Sequence, residues 1–311
     1  MKEIYEFLRA KVFSDEFIQF FYENITIDFY KIRKIKTYYI VWMFILLIGA
    51  IAIIIKWNNY LYTTNGTFDL GILFACLLAL AVFYTIYIEH YKTRVKNIIL
   101  HKIFSFLGTF NAINSEKEQK TFDENISSLE LLPKSIFNST QYSHYIDGTY
   151  KNIPIGIIEA KLVHGCGKAR ETYFNGIIIR FKTEKTYNGK TVIKNKKAKI
   201  KNKKKQILIG NGYFEKYFNV ETDNEIELKE VITEQLMNGL LSFNNEKLLK
   251  NLTISFENEY ISIAISTSKN WFDVPFFKPI NDVTAYQRIL LNLAVILAII
   301  DGLTNPEEKE G

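Results

Sequence analysis

The sequence predicts an α+β protein in which an N-terminal two-helix transmembrane hairpin precedes a cytoplasmic domain with a mainly antiparallel sheet and a C-terminal core helix. Three observations predict it. Two long uncharged apolar runs lie early in the chain, at 38–55 (YYIVWMFILLIGAIAIII) and 70–88 (LGILFACLLALAVFYTIYI). From about residue 136 the apolar residues alternate with period two, as a half-buried strand requires. The last apolar run, Ile289 to Ile300, contains Asn292 and is short for a bilayer, which suits a core helix.

The organisation follows in order. Residues 1–36 read as a cytoplasmic amphipathic segment. Ile4, Phe7, Leu8 and Val12 share a helical face. Ser14-Asp15 is a helix-start signal, and Phe17, Phe20 and Phe21 continue the stripe. Such a segment either packs on the domain or lies on the membrane surface. Residues 37–88 form the hairpin, with spans at about 38–55 and 70–88. At 1.5 Å per residue each span is about 27–29 Å long, close to the hydrocarbon thickness. Trp57, Tyr60, Tyr84, Tyr87 and Tyr91 edge the runs, as aromatics do at the headgroup level.

Lysine and arginine set the orientation. Lys31, Arg33, Lys34 and Lys36 precede the first run, and Lys92, Arg94, Lys96 and Lys102 follow the second. The connecting loop holds only Lys56, so both termini are expected in the cytoplasm. With the Lys, Ile and Asn richness of AT-rich bacterial coding, the expected location is a bacterial inner membrane, multi-pass. The spans contain no ionisable residue of the kind that marks ion or proton pathways, which argues against a channel or pump.

Residues 89–135 read as a juxtamembrane helix, Glu89 to Phe110, and a polar linker. Residues 136–305 are the α+β domain. Tyr142 to Val163 reads as a strand pair turning near Asp147-Gly148 or Asn152. Ile177, Ile179 and Phe181 mark one strand. Leu252, Ile254 and Phe256 mark a second, and Ile261, Ile263 and Ile265 a third, joined by a turn at Asn258-Glu259. Asn188-Gly189 reads as a further tight turn. Helical pattern returns at Phe214–Phe218, across residues 225–243, and from Asp282 to just before Gly302.

The order YIDGTYKNIPIGIIEAKL, FNGIIIRF, NGKTVI, YFEKYFNVETDNEIE and ISFENEYISIAI, closed by an apolar helix, resembles an uncharacterised bacterial family. Its members pair a two-span inner-membrane hairpin with a cytoplasmic domain of unknown function. The resemblance covers most of residues 30–302, implies the inner-membrane location and supplies no activity. The chain departs from it at a lysine run.

That run, IKNKKAKIKNKKKQ at 193–206, holds Lys194, Lys196, Lys197, Lys199, Lys201, Lys203, Lys204 and Lys205. The net charge is +6, so the rest of the chain is slightly acidic and the basicity is local. The run reads as a solvated excursion between strands, or as eight lipid contacts with an anionic leaflet, where each lysine adds on the order of 1 kcal/mol. Nucleic acid is disfavoured because the run has no aromatic for base stacking.

No cofactor or metal is expected. Gly189-Lys190-Thr191 lacks the upstream glycine of a phosphate loop, since residue 184 is Glu. The two cysteines, Cys76 and Cys166, imply neither a disulfide framework nor a zinc site. His164 and Cys166, with Lys168 nearby, are the candidate reactive pair, because neighbouring cations lower a thiol pKa. Scattered His144 and Asp147 would join them in an enzyme reading. A flexible loop is the plainer account. Three roles are therefore open: a non-catalytic, membrane-tethered interaction, scaffold or sensor domain with a protein partner or with itself; an enzyme built around Cys166 and His164; and an anionic-lipid-binding domain.

Overall fold

A computed structural model describes residues 1–63, 70–113, 139–164, 171–196, 206–243, 252–267, 271–274, 279 and 281–304. The chain is α+β. Helix α1 (Lys2–Val12) leads into α2 (Asp15–Asn24), and the Ser14 side chain caps α2 by accepting from the Phe17 N–H. A short 3-10 turn (Thr26–Asp28) connects to α3 (Phe29–Thr63), and α4 is Leu70–Phe104. Each of these two helices has 35 residues, so the apolar runs are only parts of longer rods.

Among the described residues two helices are long and apolar enough to cross a membrane, and their burial separates them. In the first, which contains α3, only 6% of the most apolar stretch is buried. In the C-terminal helix α8 (Val283–Thr304) the figure is 72%. Leu290, Leu293, Ile296 and Ile299 are sealed inside the domain, so α8 is its core helix, as the short apolar run Ile289 to Ile300 predicts. On α4, Phe74, Leu78, Val82 and Ile86 recur every fourth residue and are all exposed, a continuous apolar face.

The sheet holds β1 (Thr109–Ile113), β2 (Ser139–Tyr150), β3 (Ile153–His164), β4 (Glu171–Asn195), β5 (Gln206–Ile207), β6 (Phe218–Thr222) and β7 (Leu252–Ser266), and every described pairing is antiparallel. Strand β4 organises it. Its first half pairs with β3, its last five residues pair with β6, and β7 runs along the other edge of both halves. Gly176 permits this closeness, because a Cβ there would sit 2.0 Å from the Ile265 carbonyl oxygen. Short helices α5 (Gly212–Glu215) and α6 (Glu225–Val231) pack on β6 and β4, and α7 (Glu234–Phe243) packs against α1 and α8. One apolar core joins the sheet to α1, α2, the lower part of α4 and α8.

Several turns differ from the sequence reading. The β2–β3 turn is Lys151–Asn152, both with positive φ, so Asn152 reverses the chain and Asp147-Gly148 lies within β2. Asn258-Glu259 makes no hairpin. Asn258 has φ 54 and kinks one continuous β7, because the longer β4 runs on past this level and pairs with β7 on both sides of it. Asn188-Gly189 lies in an irregular stretch of β4, where both N–H groups donate to the Glu227 carboxylate at 3.0 Å. The juxtamembrane helix stops at Phe104, not Phe110, and β1 starts at Thr109. The pattern over 225–243 is two helices, broken after Val231.

The N-terminal segment packs on the domain. Leu8, Val12, Phe17 and Phe21 are buried, Phe21 lies against Tyr286 and Phe17 against Phe106, and Gln287 donates to the Val12 carbonyl.

Candidate functional site

Two regions concentrate polar chemistry. The first joins the apolar hairpin to the domain. Below its apolar run, α4 buries Tyr91, Val95, Ile99 and Ile103. Lys96 lies on the same buried surface, where its ammonium meets Glu159 Oε2 of β3 at 2.9 Å. Glu159 Oε1 accepts the Phe272 N–H at 3.1 Å. Lys92 meets Asp273 at 3.0 Å, and Asn292 of α8 donates to the Trp271 carbonyl at 2.6 Å. Segment 271–274 is thereby tied at once to α4, β3 and α8. Between the two long helices, Tyr39 Oη and His90 Nδ1 stand 2.6 Å apart. Burial pushes the Tyr91 phenol up to about 12. His101 is pulled below the usual imidazole range by burial first and by Lys102 second.

The second region is a cleft of about 660 Å³ at the opposite end of the domain. Its position follows from α8, which starts near Tyr91 and ends beside the β2–β3 turn. Three cations line it: Lys151 from that turn, and Lys182 and Lys185 from the irregular stretch of β4. Val231, Leu236, Phe256 and Leu303 supply an apolar wall from α6, α7, β7 and α8, with Glu184 and Glu230 also in the lining. Behind it Asp301 is buried, and its Oδ2 accepts from Tyr150 Oη at 2.8 Å and from Lys151 Nζ at 2.9 Å. Asp301 Oδ1 has no hydrogen-bond partner. Burial, then the Asp301 bond, drives the Tyr150 phenol well above its ordinary value.

The residues singled out from sequence do not assemble a reactive centre among the described residues. His164 is the last residue of β3, in register with Glu171, and Cys166 lies outside the described residues. His144 falls at the β2 irregularity between Ser143 and Tyr145, and Asp147 pairs across β2–β3 with Gly156. Among the described residues no cluster of His, Cys, Asp and Glu is suited to hold a metal ion.

Of the eight lysines, Lys194 and Lys196 are described, while Lys197, Lys199, Lys201, Lys203, Lys204 and Lys205 lie outside the described residues. Lys194 is no lipid contact, for it is 4% exposed and its ammonium bonds both oxygens of Glu221, at 3.0 and 2.9 Å. Both faces of the strand are covered here, since residues 190–195 are all buried, and Lys194 stands directly opposite Asn219 and Thr253. Lys196, just past the strand, is exposed. Glu159, Lys96 and Asp301 carry the buried polar contacts, and sequence reasoning passed over their roles. The available signal was a lone charge inside an apolar pattern: Glu159 within IPIGIIEAKL and Asp301 closing an apolar helix.

Residues 172–305 match the family described as "Protein of unknown function (DUF3137)". The match runs from β4 to the end of α8, the C-terminal part of the domain. No curated protein matches the chain. Among solved structures, the mycobacterial trehalose monomycolate transport factor A, TtfA, aligns at 10% identity over 59% of this chain and 94% of that one. Its TM-score is 0.27, too low to carry an argument about fold or role.

Proposed function

We propose that the chain is a membrane-tethered, non-catalytic interaction domain: a scaffold, sensor or accessory subunit held at a bacterial inner membrane with both termini in the cytoplasm. One observation carries the reading. Helix α4 runs without a break from an exposed apolar face into the core of the domain, where Lys96 and Glu159 fix it to the sheet. A rod of about 24 Å from Glu89 to Phe104 is long enough to couple the hairpin rigidly to the domain. The cations around the runs support the orientation.

The partner this geometry favours is in solution. Ile261 stands opposite Phe181, and Thr253 stands opposite Lys194. About 26 Å of strand separates those two levels, at roughly 3.3 Å per residue. The lysine run therefore starts well beyond the β2–β3 turn, away from the hairpin, which weighs against the leaflet as its target. Purification of the full chain in mild detergent from its native membranes tests the reading. A reproducible protein partner or self-association is expected. Recovery in the soluble fraction, or neither partner nor self-association, overturns it.

A further inference from the structure

We propose that Arg180, on the sheet face turned away from the helices, is the receptor for an oxyanion, the carboxylate or phosphate group of a small ligand. The inference goes beyond the interaction-domain reading and does not depend on it.

Alternation along the strands sets the place. Ile177, Ile179 and Phe181 of β4 and Ile261, Ile263 and Ile265 of β7 belong to the core that the helices cover. Arg180, Tyr260 and Ser262 therefore stand on the opposite face. In register, Arg180 lies between Gly156 of β3, which has no side chain, and Ser262 of β7. Its guanidinium carbon sits 3.7 Å from the centre of the Tyr260 ring.

Two polar groups meet here without a partner. Arg180 is only partly exposed and its Nε is buried, yet among the described residues none accepts a hydrogen bond from it. Ser262, directly opposite, is fully buried, and its Oγ has no partner either. The nearby carboxylates are committed elsewhere. Glu257 faces Lys190 at 3.8 Å, and Glu259 holds Lys182 at 2.7 Å. Asp147, beyond Gly156 on β2, forms no ion pair with Arg180. The guanidinium thus carries a charge that no side chain neutralises. Burial pulls its pKa below the ordinary value, against smaller pulls from Tyr260, Glu257 and Tyr145.

That isolation selects the ligand. Arginine that leaves water is as a rule paired, because an uncompensated charge away from solvent is costly. Stacking on Tyr260 occupies one face of the guanidinium and leaves its edge. That edge is a planar fork of N–H donors, which matches the paired oxygens of a carboxylate or a phosphate. A cation would be repelled, and a neutral group would leave the charge uncompensated. The Ser262 hydroxyl adds a further donor on the same face.

The test is thermal melting of the full chain in mild detergent with sodium phosphate, sodium acetate or sodium chloride at equal ionic strength. Wild type is compared with R180Q, R180K and a remote control, K216Q. Phosphate stabilises folded proteins in general, so the quantity read is the difference between wild type and R180Q. In wild type, phosphate or acetate should raise Tm over chloride by about 2–4 °C more than in R180Q, as for a ligand at several times its Kd. The larger of the two rises names the class. R180K, which lacks the fork, should lose most of the extra rise, and K216Q should keep it. In chloride alone R180Q should melt at or above wild type, because an unpaired charge has been removed. The proposal is overturned by equal anion responses in wild type and R180Q. It is also overturned if R180Q melts well below wild type in chloride, which would make the Tyr260 stack a structural contact. The interaction-domain reading is decided separately, by what co-purifies.

Discussion

Lys96 Nζ lies 2.9 Å from Glu159 Oε2, with the two side chains only 3% and 7% exposed. It links the long helix of the hairpin to the third strand of the sheet. Because Glu159 also accepts the Phe272 N–H, the carboxylate has work on both oxygens, which offsets the cost of burying it.

Breaking that contact from one side is expected to be costly. Lys96→Met leaves a buried carboxylate unpaired and should destabilise the domain by about 3–5 kcal/mol. Lys96→Met with Glu159→Gln should recover much of the loss, because a glutamine oxygen can still accept from Phe272. Urea unfolding in detergent, read by the fluorescence of buried Trp271, measures both. Equal losses in single and double variants would contradict the account.

Gly176 should tolerate no side chain. Its Cβ would meet the Ile265 backbone, which cannot rotate away, so Gly176→Ala should cost about 1–3 kcal/mol. At Gly302 the nearest obstacle is the Met1 side chain, a flexible one. Gly302→Ala should therefore lower Tm less than Gly176→Ala, which differential scanning calorimetry would show.

His101 should make stability sensitive to mild acid. Burial, and after it Lys102, holds its folded pKa below the ordinary imidazole value, against a smaller pull from Asp28. The unfolded state thus takes up the proton first as pH falls. Stability is fully present above the ordinary imidazole pKa near 6.5 and is lost as pH drops through and below it. Between pH 7 and 5 the His101→Gln variant should show a flatter stability profile than the wild type by denaturant titration.

The C-terminal helix should behave as core. Leu293 is sealed, and Leu293→Ala should cost about 2–5 kcal/mol. Ile48 on α3 is 64% exposed, and Ile48→Ala should leave the unfolding midpoint of the domain unchanged. Thermal melts of the two variants side by side make the comparison.

Much of the architecture was legible because apolar periodicity is a local property. The helices over the runs at 38–55 and 70–88, the cap at Ser14, the β2–β3 turn at Asn152, one of the two places read for it, and the core character of Ile289–Ile300 all follow from neighbours in sequence. What failed depends on distant residues. Asn258-Glu259 has the composition of a turn, but β4 alongside it runs on, so the asparagine kinks a strand without ending it. Phe106 and Phe110 continue a helical spacing, yet Phe110 pairs with Gly148 in β1. In the lysine run, identity alone suggested a surface. Only the pairing of β4 with β6 places Lys194 inside with Glu221. The cleft was invisible for the same reason, since Lys151, Lys182 and Leu303 become neighbours only in the fold.

The span of β4 also sets an order of assembly. Its outer edge finds no partner until Leu252–Ser266 has been made, because Gly176 pairs with Ser266 and Lys194 with Thr253. The covering helix Val283–Thr304 is synthesised later still. Contacts between segments so far apart close slowly, and an unpartnered apolar strand is open to misassembly in the interval. On the proposed membrane tether, the hairpin, made first, enters the bilayer while the sheet waits.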